Sequence, residues 1–239
     1  MSGPFSAALR GENAQGFLGV IPDLKCASPK EGDLLVGRDP VAFAAEMVAG
    51  GARVLSVVTA PGDFGGSEAL LADVVAATGV PVLRKDFITT PVQVEAAAAL
   101  GASAVLLICS LMDERTLTRL AEVAAGAGLE ALVEAHTADE LAWARRLGAD
   151  LVGINNRDIT AGETDDGGVE RTSALAGLVP GGTLLVSESG IATRSDAESA
   201  ALAGADAVLV GTALWRADDP VAALAGLRVR WRGRSCDPS

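Results

Sequence analysis

Short apolar runs and alanine-rich stretches alternate along the chain from about residue 18 to residue 227. The apolar runs have strand length: Leu18–Leu24, Arg53–Val58, Val80–Leu83, Ala104–Ile108, Ala131–Glu134, Leu151–Ile154, Thr183–Ser187 and Ala207–Val210. Between and after them the spacing predicts helices near Pro40–Ala49, Ser67–Thr78, Pro91–Leu100, Asp113–Ala125, Thr137–Leu147, Glu170–Leu178, Arg194–Ala203 and Asp219–Leu227. Proline stands where a first helical turn tolerates it at Pro40, Pro91 and Pro220, and Thr137 with Glu140 has capping-box spacing. Glycine recurs just past a helix and before the next strand, in Gly50-Gly51-Ala52, Gly101-Ala102-Ser103, Gly148-Ala149-Asp150 and Gly204-Ala205-Asp206. A left-handed helix cap is needed at such points. Strict alternation of strand and helix implies parallel pairing through right-handed crossovers. Eight such units predict a single (β/α)8 barrel, α/β in class, over residues 1–239, with a short segment (1–17) before it and a short basic tail (228–239) after it. An open doubly wound sheet is the alternative, but it would leave strand edges that no device in the sequence protects. Residues 1–16 show no strong periodicity.

Composition narrows this picture. With 49% hydrophobic and 3% aromatic residues, the core must be built from Ala, Val, Leu and Ile. No apolar stretch reaches the roughly 18 residues of a membrane span, and residues 1–20 lack the plan of a signal peptide, so a cytoplasmic location is expected. Cys26, Cys109 and Cys236 lack metal-ligand spacing, and His136 is the one histidine available to join them; neither a metal site nor a disulfide framework is expected. The net charge of −12 argues against nucleic acid and anionic membranes as partners. Arg228–Arg234 is the basic exception, read as a solvated last turn with a frayed end rather than a partner-binding arm. A monomer or weak homodimer is expected.

Of 19 basic residues, three are lysine: Lys25, Lys30 and Lys85. Unlike arginine, a desolvated lysine can act as acid or base. Lys25 follows Asp23 by two residues, so both side chains project to one face at the end of the first strand, either as a catalytic pair or as a rim salt bridge. The strand ends carry a ring of further polar groups: Thr59; Lys85 and Asp86; Ser110; Glu134 and His136; Asn155 and Arg157; Glu188 and Ser189; Gly211 and Thr212. The carboxyl ends of barrel strands are where barrel enzymes keep their chemistry. Amines and carboxylates crowded there can split their pKa values into a proton donor and an acceptor, chemistry suited to a carbonyl, enol or imine. Lys85-Asp86 read alone is equally an ion pair. His136 fits helix capping or solvent exposure better than metal binding or catalysis. Ser189-Gly190-Ile191 and Gly211-Thr212, the latter opening a short helix, serve either as ordinary turns or as a phosphate site; their position after strands seven and eight, the usual barrel phosphate cradle, favours the latter, so a phosphorylated small molecule is the expected partner.

The segments VIPDLKCASPKEG, LSVVTAPGDFGGS, VLRKDFI, LVEAHTADEL, GINNRD, VSESGI and VLVGTALWRADDP, spread over Gly19–Pro220, resemble those of the indole-3-glycerol phosphate synthase family. The resemblance implies a barrel of the ribulose-phosphate-binding type and a lyase of tryptophan biosynthesis. Its reaction closes the ring of 1-(2-carboxyphenylamino)-1-deoxyribulose 5-phosphate with loss of carbon dioxide and water, and uses no cofactor. It further implies Lys85 as the acid on the ribulose carbonyl, Lys25 holding the substrate carboxylate and assisting proton transfer, and Glu134 as the base of the dehydration. Glu188, Asn155 and Ser189 would position ring and hydroxyls, with Arg157 supporting the carboxylates. Gly190, Gly211 and Thr212 match the phosphate site, with Ser28 nearby.

Three departures from the family pattern stand out. Asp23, preceded by Pro22, replaces a glutamate in the Glu-x-Lys pattern, retracting the carboxylate by on the order of 1 Å, a displacement that can matter about 10²-fold. The helical extension that covers the family's active-site mouth is reduced here to about residues 1–16. Thr59 is followed by Ala60-Pro61-Gly62-Asp63 where the family has glutamate after the threonine. These departures keep two other readings open: a non-catalytic or substrate-shifted sugar-phosphate-binding barrel, and a specialised paralogue of the synthase. An isomerase of the phosphoribosylanthranilate type ranks last, because that reaction has no evident need for two strand-end lysines.

Overall fold

The computed structural model describes residues 3–157 and 168–234. Eight strands pair in parallel and close in chain order: β1 (Gly19–Leu24), β2 (Leu55–Val58), β3 (Val82–Lys85), β4 (Ala104–Ile108), β5 (Glu130–Ala135), β6 (Leu151–Asn155), β7 (Leu184–Glu188) and β8 (Ala207–Val210), with β8 returning to β1. The helices are α1 (Pro4–Ala14), α2 (Pro40–Ala49), α3 (Glu68–Thr78), α4 (Pro91–Ala99), α5 (Glu114–Gly126), α6 (Ala138–Leu147), α7 (Glu170–Leu175), α8 (Arg194–Ala203), α9 (Thr212–Arg216) and α10 (Pro220–Leu227). This is the (β/α)8 barrel that the alternating pattern implies. None of the helices among the described residues is long and apolar enough to cross a membrane.

Local chemistry starts and stops the helices. Asp39, Ser67, Asp113, Thr137, Thr193 and Asp219 each accept backbone amides in the first turn of the helix that follows. Gly148 and Gly204 end α6 and α8 with φ of 69° and 102°, the left-handed conformation that costs glycine least.

The strand period of two sets the interior. Ile21, Leu83, Leu106, Leu132, Val186 and Leu209 point inward and are buried. Two residues further along the same strands the same inward direction is occupied by Asp23, Lys85, Ile108, Glu134, Glu188 and Gly211. A mostly polar layer therefore rests on a dry one. The outward faces pack against α2–α8 and α10 in two larger apolar clusters.

Three expectations change. First, the segment that shows no strong periodicity carries a helix over Pro4–Ala14. Its buried stripe includes Phe5 and Leu9, which complete the inner core, but also the polar Ser6, Glu12 and Asn13, which is why no apolar period shows. This helix seals the amino-terminal end of the barrel, opposite the mouth. The amides of Phe5 and Ser6 donate to Glu130 at the start of β5, Arg10 donates to Gly182 O, and Asn13 to Asp206 O.

Second, the basic tail is only partly solvated as far as residue 234: Arg230 and Arg232 are exposed, but residues between and beside them pack back onto the barrel. Val229 is 1% exposed, Arg228 pairs with Glu12 at 2.8 Å, and Trp231 N donates to Gly16 O. Asp206 gathers the rest. Its Oδ2 accepts from Leu185 N (2.8 Å), its Oδ1 from Trp231 Nε1 (2.9 Å), and Arg234 lies 3.3 Å away. Arginines here meet buried carboxylates that a linear charge count does not reveal. Asp206→Ala would leave a buried amide and the indole N–H without acceptors, so it is expected to cost about 2–4 kcal/mol, read as a lowered urea midpoint with unchanged slope.

Third, four strands, β3, β5, β6 and β7, end later than predicted. β3 ends on Lys85 and β7 on Glu188, which places both groups inside the paired ladder rather than in the loops beyond it. The helix expected over Glu170–Leu178 is α-helical to Leu175 and continues as a 3-10 turn from Ala176 to Leu178.

Candidate active site

At the carboxyl end of the barrel the inward polar layer opens into two adjoining clefts. One, of about 410 Å³ counted out to solvent, is a slot with Lys25, Lys85, Glu134 and Asn155 among its walls, together with Phe64, Phe87, Leu106 and Ile108. The second, about 1160 Å³, shares Lys25 and Lys85. It continues past Asp23, Arg157 and Arg216 to the turn Ser189–Ala192 and the first turn of α9. An apolar slot with amines and a carboxylate thus runs into a cleft edged by glycine backbone.

Register explains the grouping. Asp23 pairs with Ser56 across β1 and β2, Glu134 with Gly153 across β5 and β6, and Asn155 with Glu188 across β6 and β7. Ser56 Oγ donates to Asp23 Oδ1 at 2.6 Å, anchoring a carboxylate that is 4% exposed. The main chain of Asp23 is fixed as well: its carbonyl accepts from Trp215 Nε1, and Trp215 stacks on Phe43 with ring centroids 3.9 Å apart. Lys25 follows at the mouth, 5.9 Å from the centre of the Phe64 ring.

The groups beside Lys85 in sequence form a cluster of their own. Arg84 points outward and donates to Thr59 Oγ1 and Asp86 Oδ2, each at 3.0 Å, while Thr59 Oγ1 donates to the same Asp86 oxygen at 2.6 Å. Glu68 completes this cluster at 2.9 Å from Arg84. Asp86, read from sequence as an ion-pair candidate for Lys85, accepts from Arg84 and Thr59.

Glu134 and Glu188 are both buried, at 0% and 1% exposure. Glu134 Oε1 accepts from Asn155 Nδ2 at 3.3 Å, whereas Glu134 Oε2 and both Glu188 oxygens make no hydrogen bond to the described residues. Burial, then the neighbouring Glu134 charge, push the Glu188 carboxyl well above its ordinary range against the opposing pull of Lys85. Buried carboxylates left unsatisfied are costly in a protein interior, and they mark places where a ligand or a proton completes the structure.

Glu188 reaches this position because residue 153 is glycine. A Cβ on Gly153 would stand 2.0 Å from Glu188 Oε1, far inside contact distance. Gly153→Ala must swing Glu188 out of its place beside Glu134. It is expected to lower kcat/KM by on the order of 10²-fold while the barrel still folds, as judged by circular dichroism and steady-state rates.

Ser189 adopts φ 63° and Gly190 φ 73°. The serine is outside the conformations a side chain prefers and needs support. Asn156 supplies it: Nδ2 donates to Ser187 Oγ, Glu188 O and Ser189 O at 2.9–3.1 Å, and Oδ1 accepts from the amide and hydroxyl of Thr172.

The structure thus brings together Asp23, Lys25, Lys85, Glu134, Asn155, Arg157, Ser189, Gly190, Gly211 and Thr212 along the two clefts, with Glu188 buried beneath them. Ser28 is not one of the lining residues: it lies in a small ladder, Ala27–Ser28 with Gly32–Asp33, where its Oγ accepts from Glu31 N. Ser56, Gly153 and Asn156 escaped the sequence reading. A lone serine in an apolar strand and a glycine inside a strand are weak signals of these roles, the latter marking close approach. Among the described residues no group of three or more His, Cys, Asp and Glu side chains is placed to hold a metal ion. Cys236 lies outside the described residues.

Acid–base groups gathered at this end of a closed parallel barrel place the chain among the (β/α)8-barrel enzymes. A family model described as indole-3-glycerol phosphate synthase matches residues 2–227. The chain belongs to the indole-3-glycerol phosphate synthase family. It is 46% identical over 201 residues to the indole-3-glycerol phosphate synthase of Pyrococcus furiosus, covering 84% of this chain and 87% of that protein. With the synthase of Carboxydothermus hydrogenoformans it shares 43% identity over 218 residues, covering 91% and 81%. Solved structures extend the likeness at the level of fold. The 3-hexulose-6-phosphate synthase of Salmonella typhimurium superposes with a TM-score of 0.71 at 16% identity, covering 88% of this chain and 96% of that one. The orotidine 5'-phosphate decarboxylase of Pyrococcus horikoshii gives 0.64, also at 16% identity, covering 87% and 96%.

Proposed function

We propose that the chain closes the indole ring of 1-(2-carboxyphenylamino)-1-deoxyribulose 5-phosphate, releasing carbon dioxide and water. The observation that carries this reading is the continuity of an apolar slot containing two lysines and a glutamate with a cleft edged by glycine backbone. The apolar walls of the first cleft, Phe64, Phe87, Leu106 and Ile108, suit an aromatic ring, and the glycine-edged cleft suits the phosphate of the same molecule.

Bond formation joins the ring carbon bearing the carboxylate to the ribulose carbonyl carbon. Lys85 donates a proton to the carbonyl oxygen as that bond forms. Carbon dioxide then leaves, its bonding electrons restoring the aromatic ring. In the last step the C–O bond breaks and the hydroxyl departs as water with a proton supplied by Lys25, while Glu134 removes a proton from the neighbouring methylene carbon, whose C–H electrons form the new ring double bond. No electron is gained or lost overall, so proton transfer and positioning suffice.

Lys25 holds the substrate carboxylate until it leaves, and Asp23 with Glu188, Asn155 and Ser189 orients ring and hydroxyls. Arg157 balances the carboxylate charge. Gly190, Gly211 and Thr212 take the phosphate on backbone amides, a helix N-terminus adding positive partial charge. The anchoring of Asp23 by Ser56 fixes the shorter side chain in one position, which supports a working role for it.

The test is stoichiometry. Substrate labelled in its carboxylate should give one labelled carbon dioxide for each indole formed. Release of carbon dioxide without indole, or bound substrate with neither product, would refute the reading.

A further inference from the structure

His136 is the one histidine in the chain, and the reaction as described makes no use of it. It is not the exposed capping residue that its place after β5 suggests. Its side chain is 11% exposed and lies between two carboxylates: Nε2 is 3.4 Å from Glu134 Oε1, and Nδ1 is 3.6 Å from Glu140 Oε2. Neither ring nitrogen makes a hydrogen bond to the described residues.

Glu140 is held in turn. It occupies the first turn of α6, where its Oε2 accepts the His136 amide and its own amide donates to Thr137 Oγ1. Partial burial works against its charge, but the His136 ring and amide, with the Thr137 amide, outweigh this and keep the carboxyl below its usual range. The other titratable group at hand is Cys109, from the turn after β4. Burial, then the charges of Glu140 and Glu134, push its thiol up to about 12, so it stays protonated and takes no part.

Glu134 itself is 0% exposed, while the Glu140 side chain is 13% exposed. The three groups therefore form a line from a buried carboxylate through an imidazole to a partly solvated one. Imidazole is suited to such a line because it can accept a proton at one nitrogen while releasing one from the other.

We propose that His136 is the proton outlet of Glu134, returning that base to its ionised form after each turnover. The proposal rests on the assignment of Glu134 as the base of the dehydration. In each cycle Glu134 gains one proton from substrate carbon. It passes that proton to His136 Nε2, and the Nδ1 proton leaves to Glu140 or to water beside it, so the imidazole ends in its other neutral tautomer. Rotation of the ring, or the reverse tautomeric shift through solvent, restores the starting form. His136 acts through Glu134 rather than on substrate, which makes it a positioning and proton-transfer residue.

The test separates the first turnover from later ones. In His136→Gln the side-chain amide fills much of the same space but cannot carry a proton through. Rapid mixing with excess substrate should give a burst of about one indole per enzyme, followed by turnover slowed on the order of 10²-fold, with KM changed much less. His136→Ala should show the same burst, and added imidazoles should restore the later phase to a degree that tracks their pKa. Glu140→Gln should slow the later phase to a lesser extent.

Unchanged steady-state turnover in both His136 variants would overturn the proposal. So would equal slowing of the first and later turnovers with no response to imidazole, which is the signature of a structural role. Glu134→Gln distinguishes the underlying reading: if it completes its first turnover at the parent rate, the base assignment itself fails, whatever His136 does.

Discussion

Lys85→Ala is expected to reduce the formation of indole from substrate by on the order of 10³-fold or more, with substrate binding far less affected. The argument starts from the strand. Lys85 is the last residue of β3, two positions above the buried Leu83, so backbone pairing and not a loop fixes where the amine emerges. Its sequence neighbours Arg84 and Asp86 form a cluster with Thr59. The amine faces both clefts, where the aromatic slot meets the glycine-edged one. A carbonyl oxygen that becomes a hydroxyl as the ring closes needs a proton at that junction, and alanine supplies none. General acid catalysis contributes about 10²–10⁴-fold in such settings, and the loss should fall on kcat rather than KM. Lys85→Arg is expected to fail almost as badly, since a guanidinium keeps its charge but gives up its proton poorly. A rate for Lys85→Ala within tenfold of the parent would remove Lys85 from the acid role.

The second large effect runs in opposite directions for activity and stability. Glu188→Gln is expected to lower kcat/KM on the order of 10²-fold while making the protein harder to unfold. Both Glu188 oxygens are buried without hydrogen bonds to the described residues, and the carboxyl faces Glu134. Its folded-state pKa is raised above the ordinary value of 4.5. Between that value and the raised one, the folded protein holds a proton that the unfolded chain has released. Stability therefore falls as pH rises through this window. Glutamine carries no such liability. The two proteins should unfold alike near pH 4, and the variant should gain as pH rises toward neutrality. A gain of about 1–3 kcal/mol corresponds to a rise in Tm on the order of 5 °C. Parallel curves of Tm against pH for parent and variant would contradict this account. Functional sites commonly carry such a cost in stability.

The barrel was legible because its signals repeat. Eight apolar runs, helices with cap residues at their starts and glycines beyond their ends point to the same architecture at every unit, and consistency across levels is what makes a fold readable. The ring of chemistry was legible for a related reason: a charged residue in period-two register with an apolar one must project into the barrel mouth, as Asp23, Lys85, Glu134 and Glu188 do.

What stayed hidden depends on contacts between segments far apart in sequence. α1 carries two large apolar residues on a partly polar buried face, so its place at the barrel floor follows from Glu130 and Asp206, residues more than 100 positions away. The basic tail looked solvated because Glu12 and Asp206 cannot be seen from positions 228–234. Ser56 and Gly153 matter through the residues paired across from or beside them. Neither position announces itself until the register is known. His136 was placed after its strand correctly, but its confinement between Glu134 and Glu140 needed the packing of α6.

Asp23 in place of the family's glutamate, and the short N-terminal segment, were the grounds for reading a non-catalytic barrel. Asp23 is anchored by Ser56, and α1 has a separate task at the opposite end. Both observations fit a working enzyme.

The most direct measurement is to mix the purified protein with 1-(2-carboxyphenylamino)-1-deoxyribulose 5-phosphate and follow indole fluorescence, with Lys85→Ala beside it. The account predicts steady production of indole-3-glycerol phosphate by the parent and almost none by the variant. Parent protein that is folded and binds the substrate yet forms no indole would contradict it.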